Sequence, residues 1–193
     1  MRKTLMLAAL LLAGAASARA ATFVVKPGAG TQVVFTSKAT TETFEGKTDK
    51  MEGRIDVDPA AVGDSVTVHL EVDLASLDTG SKMRNKHMRE NHLETSKFPK
   101  ATFDGATLIE GGGAKLENGK PLKFVAEGTF TVHGVSRRLR CNAEVTWTGA
   151  ALAFQATFAV ALPDYQIKRP EILFLKLAEV QQLRVSATAS PAP

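Results

Sequence analysis

Four histidines, one cysteine and several paired carboxylates are the residues of this chain that could carry chemistry. His87 and His92 could hold a metal between them, but five residues of α-helix turn one ring about 140° from the other. They do not share a face, and solvated surface histidines are the plainer reading. His69 lies on the polar side of an alternating run and His133 beside a glycine, each without a Cys, Asp or Glu at ligand spacing. Cys141 shares parity with Leu139, Ala143 and Val145, which reads as a buried free thiol, whereas a nucleophile would need a base nearby. Glu71 and Asp73 fall on one wet strand face, and no G-x-S-x-G elbow occurs. Catalysis therefore has no support in these residues, and neither a metal nor a cofactor is expected.

A second kind of chemistry is electrostatic. Lys82, Arg84, Lys86 and Arg89 fall within eight residues of each other in a locally basic segment. A solvated helix face is the default reading. The alternative is a patch that meets an anionic headgroup or a membrane surface.

The elements that must position these residues are strands. Val66, Val68, Leu70, Val72 and Leu74 alternate with polar residues, as expected of a strand with one apolar and one wet face. The same period recurs over residues 122–132, 139–147 and 152–162, and more weakly over 32–37, 43–48, 51–57, 101–109 and 180–187. Turn residues separate the runs, among them Asn118-Gly119, His133-Gly134 and Thr148-Gly149. Eight or nine strands with little helix predict an all-β antiparallel sandwich or closed barrel. One helix is expected over residues 81–91. The apolar faces mix Phe and Leu with small Ala126, Gly128, Ala143 and Ala156, a pattern that suits an internal cavity and tight packing equally.

At 193 residues, with 44% apolar residues and one cysteine, the chain suits a single domain without an internal disulfide. Its first residues have another task. Arg2 and Lys3 precede an apolar run over residues 5–12, and Ala18-Arg19-Ala20 forms an A-x-A cleavage pattern. Residues 1–20 are therefore expected to be a cleaved signal peptide, leaving a soluble periplasmic or secreted chain. Without Arg2, Lys3 and Arg19 the 24 basic residues become 21 against 20 acidic ones, which argues against nucleic-acid binding. The expected domain runs over 21–189, with a frayed tail at 190–193.

Four motifs stand in order along the chain: Ser76-Leu77-Asp78-Thr79-Gly80, then Arg84-Asn85-Lys86-His87-Met88-Arg89, then Phe98-Pro99-Lys100-Ala101-Thr102-Phe103, and the run 128–137 ending Gly134-Val135-Ser136-Arg137. The series resembles the YceI-like family of exported bacterial proteins across nearly the whole mature chain. Asn85 departs from the pattern, standing where an acidic residue is usual. The resemblance implies an eight-stranded, lipocalin-like antiparallel barrel with a short helix near its opening. It also implies an elongated apolar tunnel for polyisoprenoids, quinone-like molecules or fatty-acid derivatives, with no cofactor and no catalytic residue.

The reading that follows is a periplasmic carrier that sequesters a long apolar lipid. Val68, Leu70, Val72, Phe124, Phe130, Leu139, Phe154 and Phe158 would wall the tunnel if each apolar face points inward. A lipid-modifying enzyme acting inside the barrel, and a structural or stress-related module with a filled core, are the rivals. The oligomeric state is open, a dimer included.

Overall fold

The computed structural model describes residues 20–62, 66–111, 115–172 and 175–193. The strands of its first half are β1 (Ala21–Val25), β2 (Thr31–Lys38), β3 (Thr43–Thr48), β4 (Met51–Val57) and β5 (Thr67–Asp73). A helix α1 (Lys82–His87) follows, continued by a π turn over Met88–His92. Then come β6 (Lys100–Glu110), β7 (Pro121–Val132), β8 (Val135–Trp147), β9 (Leu152–Ala161), the two-residue strands β10 (Glu171–Ile172) and β11 (Leu175–Lys176), and β12 (Val180–Pro191).

The sheet is antiparallel and closes on itself. β5 through β9 pair with their neighbours in sequence, β12 follows β9, and β1 joins β12 to β4. β1 and β2 are successive halves of one barrel position, both beside β12, while β3 and β4 are halves of the next. The ten paired strands thus make a closed barrel of eight positions. Both interrupted positions bend at the same height, where Gly28 N–H donates to the Asp49 carbonyl at 2.9 Å. Gly28 has φ of 109° there, which glycine adopts freely.

Local chemistry sets the register. His133 and Gly134, with φ of 53° and 74°, form the two-residue turn between β7 and β8, and Val132 pairs with Val135 across it. Two successive positive φ values match the right-handed twist of the flanking strands. Because the side-chain period is two, that turn decides which residues of both long strands face inward.

The core divides between the two ends of the barrel. One end is packed by a cluster that includes Phe23, Val57, Val62, Leu116 and Leu152, with the Phe23 and Trp147 rings edge-on at 5.5 Å. At the other end Leu74, Leu77, Phe130, Val160, Leu162 and Tyr165 pack together beside the helix. Residues 1–19 of the expected leader lie outside the described residues, and β1 begins at Ala21. The tail does not fray at Ser190 as expected. Val24 pairs with Ser190, Phe23 pairs with Pro191, and Ala192 N–H donates to the Thr22 carbonyl at 2.9 Å, because barrel closure needs this strand end.

Candidate functional site, a cavity along the barrel axis

Between the two clusters lies a cavity of about 1290 Å³, larger than the roughly 300–1000 Å³ usual for small-molecule pockets. A filled core is thereby excluded as the architecture of this barrel. The space has a cause in the register. Ala126 lies beside Cys141, and Ala143 beside Ala156, which in turn lies beside Val185. Small side chains on the inward face of three neighbouring strands leave the middle of the barrel open, and Phe124 and Phe154 stand next to that belt.

Seven of the eight residues expected in the wall border the cavity. Val68, Leu70 and Val72 of β5, Phe124 and Phe130 of β7, and Phe154 and Phe158 of β9 all line the cavity. Phe130 and Phe158 meet edge-on at 5.6 Å, and Phe130 also meets Tyr165 at 5.5 Å. Leu139 does not line it. β8 pairs with β9 only as far as Asn142 and Thr157. Beyond that point the 3₁₀ turn Leu162–Tyr165 packs against β8, and Arg137 Nε donates to the Asp164 carbonyl at 3.1 Å. Leu139 therefore packs against the cluster that contains Leu162 and Tyr165, although its parity is correct.

The cavity opens at the helix end, where exposed Met83, His87, Glu90 and Lys168 are among its lining residues. Met83 is 72% exposed, an unusual state for a large apolar side chain. His87 and His92 both border this mouth, as do Met88, Glu90, Asn91 and Leu93. An i→i+5 bond from Leu93 N–H to the Met88 carbonyl closes the π turn, which rotates each residue less than an α-helix does. His92 Nδ1 donates to the Lys168 carbonyl at 2.9 Å, tying the π turn to residues 167–170 across the opening. Burial, the largest influence, lowers the His92 pKa and favours its neutral ring.

The basic segment is not the solvated stripe that its composition suggests. Arg84 donates to Glu42 Oε1 at 2.7 Å and to Thr79 Oγ1 at 3.1 Å, and stacks on the Phe44 ring. Arg89 Nη2 donates to the Leu77 carbonyl at 3.1 Å. Both arginines fasten the helix to the barrel, and the exposed cations of the four are Lys82 and Lys86. Asn85, buried beneath them, accepts from Thr79 N–H and Oγ1–H at 2.8 and 2.7 Å and donates to Asp78 Oδ1 at 2.7 Å.

The remaining candidate groups find partners that linear spacing hides. His69 Nδ1 lies 2.5 Å from Asp104 Oδ1 on the neighbouring strand, and His133 Nε2 lies 3.0 Å from Glu94 Oε2. The hydrogen bond to Asp104 is the main cause of the raised His69 pKa. Cys141 is buried and free, and burial pushes its thiol pKa up, away from the reactive thiolate. Among the described residues no three of His, Cys, Asp and Glu converge as metal ligands.

A family model for the YceI-like domain matches residues 23–189. The chain belongs to this family. Its similarity to a UPF0312 protein of Shewanella baltica is 30% identity over 171 residues, covering 84% of this chain and 85% of that one. A UPF0312 protein of Vibrio parahaemolyticus is 28% identical over 178 residues, covering 86% and 89%. The chain spans about two thirds, 65%, of the length of similar Vibrio cholerae UPF0312 proteins, at 30% identity. Among solved structures, Burkholderia cenocepacia BcnA superposes with a TM-score of 0.68 at 22% identity, over 83% of this chain and 96% of BcnA. A polyisoprenoid binding domain from Saccharophagus degradans, implicated in plant cell wall breakdown, gives a TM-score of 0.68 at 16% identity, over 90% and 99%. These likenesses establish the YceI-like barrel.

Sequence reasoning missed the mouth residues His92, Ile167 and Lys168, because nothing local shows that residues 88–92 and 167–170 meet. Gln181 was also missed. Its signal was available: a polar residue at the parity of Leu183 and Val185.

Proposed function

We propose that the protein carries or sequesters a long apolar lipid in the barrel cavity, in the periplasm. The cavity of about 1290 Å³ behind apolar walls is the observation that carries this reading. A chain of about 16 carbons buried there gains roughly 13 kcal/mol gross at about 0.8 kcal/mol per CH₂. Ordering and association remove much of that, which leaves micromolar or tighter binding within reach. A polyisoprenoid, a quinone-like molecule or a fatty-acid derivative fits the space, and the Saccharophagus domain similar to this chain is described as binding polyisoprenoids.

Binding is favoured over lipid modification by the placement of the titratable groups. Among the described lining residues, the acids, bases and histidines belong to the segments around the mouth, while the deep wall offers only the neutral Cys141 thiol. Export is supported by the leader pattern of residues 1–20 and by a strand that starts at Ala21, where cleavage would leave β1 intact. Met83 with exposed Lys82 and Lys86 forms the outward face of the mouth helix, suited to brief contact with an anionic bilayer during loading.

Native mass spectrometry of protein purified from its own periplasm tests the reading. A lipid-sized adduct released by organic extraction, on a chain beginning at Ala21, is expected. A bare mass, together with failure to take up apolar probes, would overturn the carrier role. An intact Met1 form held in the membrane would overturn the location.

A further inference from the structure

Two ends of the cavity differ. At the helix end Met83, His87 and Glu90 line it and are exposed, which makes the mouth. At the other end Val57, Val62, Leu116 and Leu152 line it and are buried. Leu116 N–H donates to the Pro59 carbonyl at 2.8 Å there, joining the β4–β5 and β6–β7 loops into a closed base. Depth follows from Val66, packed with the base cluster, and Leu74, packed at the mouth end, both of which line the cavity. Eight residue steps at about 3.3 Å make about 26 Å of strand, and a tilt of about 40° leaves about 20 Å along the barrel axis. A space of about 1290 Å³ over that depth has a mean cross-section of about 65 Å². Apolar chains in contact lie about 4.5 Å apart, so one straight chain takes only about 20 Å². The cavity is wide enough for two chains side by side, and the belt of Ala126, Ala143 and Ala156 supplies that width.

We propose that the cavity holds two hydrocarbon chains side by side, and that the preferred ligand is a two-chain glycerolipid. Two chains joined at one head enter together through one mouth. The polar head stays there, beside exposed His87, Glu90 and Lys168. A single straight chain leaves more than half the width without contacts, and an apolar void forfeits the dispersion energy of its lining. One long chain doubled on itself must make its bend at the base, where Val62 and Leu116 are packed among the core residues. Joining the chains also favours the second, which arrives at the high effective concentration that a short linker gives. This inference rests on the carrier reading and narrows it to one class of fatty-acid derivative.

The test loads the delipidated full mature chain with hexadecanol or with dipalmitoylglycerol, which carries two chains of the same length. Gel filtration removes free lipid, and gas chromatography gives the lipid retained per protein. The wild-type protein is expected to saturate at two hexadecanols per barrel, or at one dipalmitoylglycerol. Ala143→Leu narrows the belt without adding charge. It is expected to halve the hexadecanol ratio and to exclude dipalmitoylglycerol, with circular dichroism reporting an intact fold. The wild-type ratios decide the proposal by themselves if that variant does not fold. A wild-type hexadecanol ratio that saturates at one, or refusal of dipalmitoylglycerol, overturns the proposal and leaves the carrier reading standing. Two hexadecanols retained by folded Ala143→Leu place the second chain outside the belt and overturn it as well. Retention of neither lipid by the folded wild type overturns both readings.

Discussion

Arg84 Nη1 stands 2.7 Å from Glu42 Oε1, while its guanidinium carbon lies 3.9 Å from the centre of the Phe44 ring. One side chain thus joins α1 to the segment leading into β3. Exposed ion pairs contribute little, but a cation on an aromatic face together with a half-buried pair contributes more. Arg84→Ala is expected to lower stability by about 1–2 kcal/mol, read by urea unfolding. The double change Lys82→Glu and Lys86→Glu should leave stability within about 0.5 kcal/mol. It should slow lipid transfer to anionic vesicles and remove the salt dependence of that transfer. Equal transfer rates at low salt would mean the mouth helix does not meet the bilayer.

Asn85 should not tolerate the acidic residue usual in the family pattern. Its Nδ2 donates to Asp78 Oδ1, and that hydrogen bond is the main cause of the lowered Asp78 pKa. Asn85→Asp replaces the donor with a second carboxylate at a buried site. A loss of about 2 kcal/mol is expected at pH 7, shrinking as acid protonates the pair. A variant as stable as wild type at pH 7 would show that this contact carries no folding energy.

Phe158→Asp sets a charge against the apolar wall and should abolish lipid binding, at a stability cost of several kcal/mol. Ala156→Leu is the sharper test, since it fills the small-residue belt without adding charge. Long-chain lipid uptake should fall while the circular dichroism spectrum and melting temperature hold. Unchanged uptake by a folded Ala156→Leu protein would remove this face from the binding site.

The histidines should pull stability in opposite directions as pH changes. Asp104 raises the His69 pKa above 6.5, so the charged ring is favoured by folding. That contribution is fully present below about 6.5 and is lost as pH rises through the elevated native value. The pair is half-exposed, so His69→Asn should cost only about 0.5 kcal/mol at pH 5.5 and almost nothing at pH 9. His92 has a lowered pKa, and its contribution is lost as pH falls below the ordinary value. Ring titrations by NMR check both signs: His69 should titrate above 6.5 and His92 below it.

The strands were legible because their signal is local. A period of two in Val68, Leu70 and Val72, or in Phe154, Ala156 and Phe158, requires no knowledge of the partner strand. The His133-Gly134 turn and the family motifs were legible for the same reason. Other features depended on contacts between distant residues. The closure of β1 on Ser190 and Pro191 joins segments more than 160 residues apart, and nothing in either segment announces the other. Leu139 has the correct parity but loses its cavity position because the turn after β9 packs against β8. Arg84 and Arg89 read as surface charge until Glu42 and the Leu77 carbonyl are brought to them by the barrel. The cavity itself is a property of register. Ala126, Ala143 and Ala156 can fill a tight interface or line a void, and only their alignment on neighbouring strands, with bulk displaced to both ends, leaves the void.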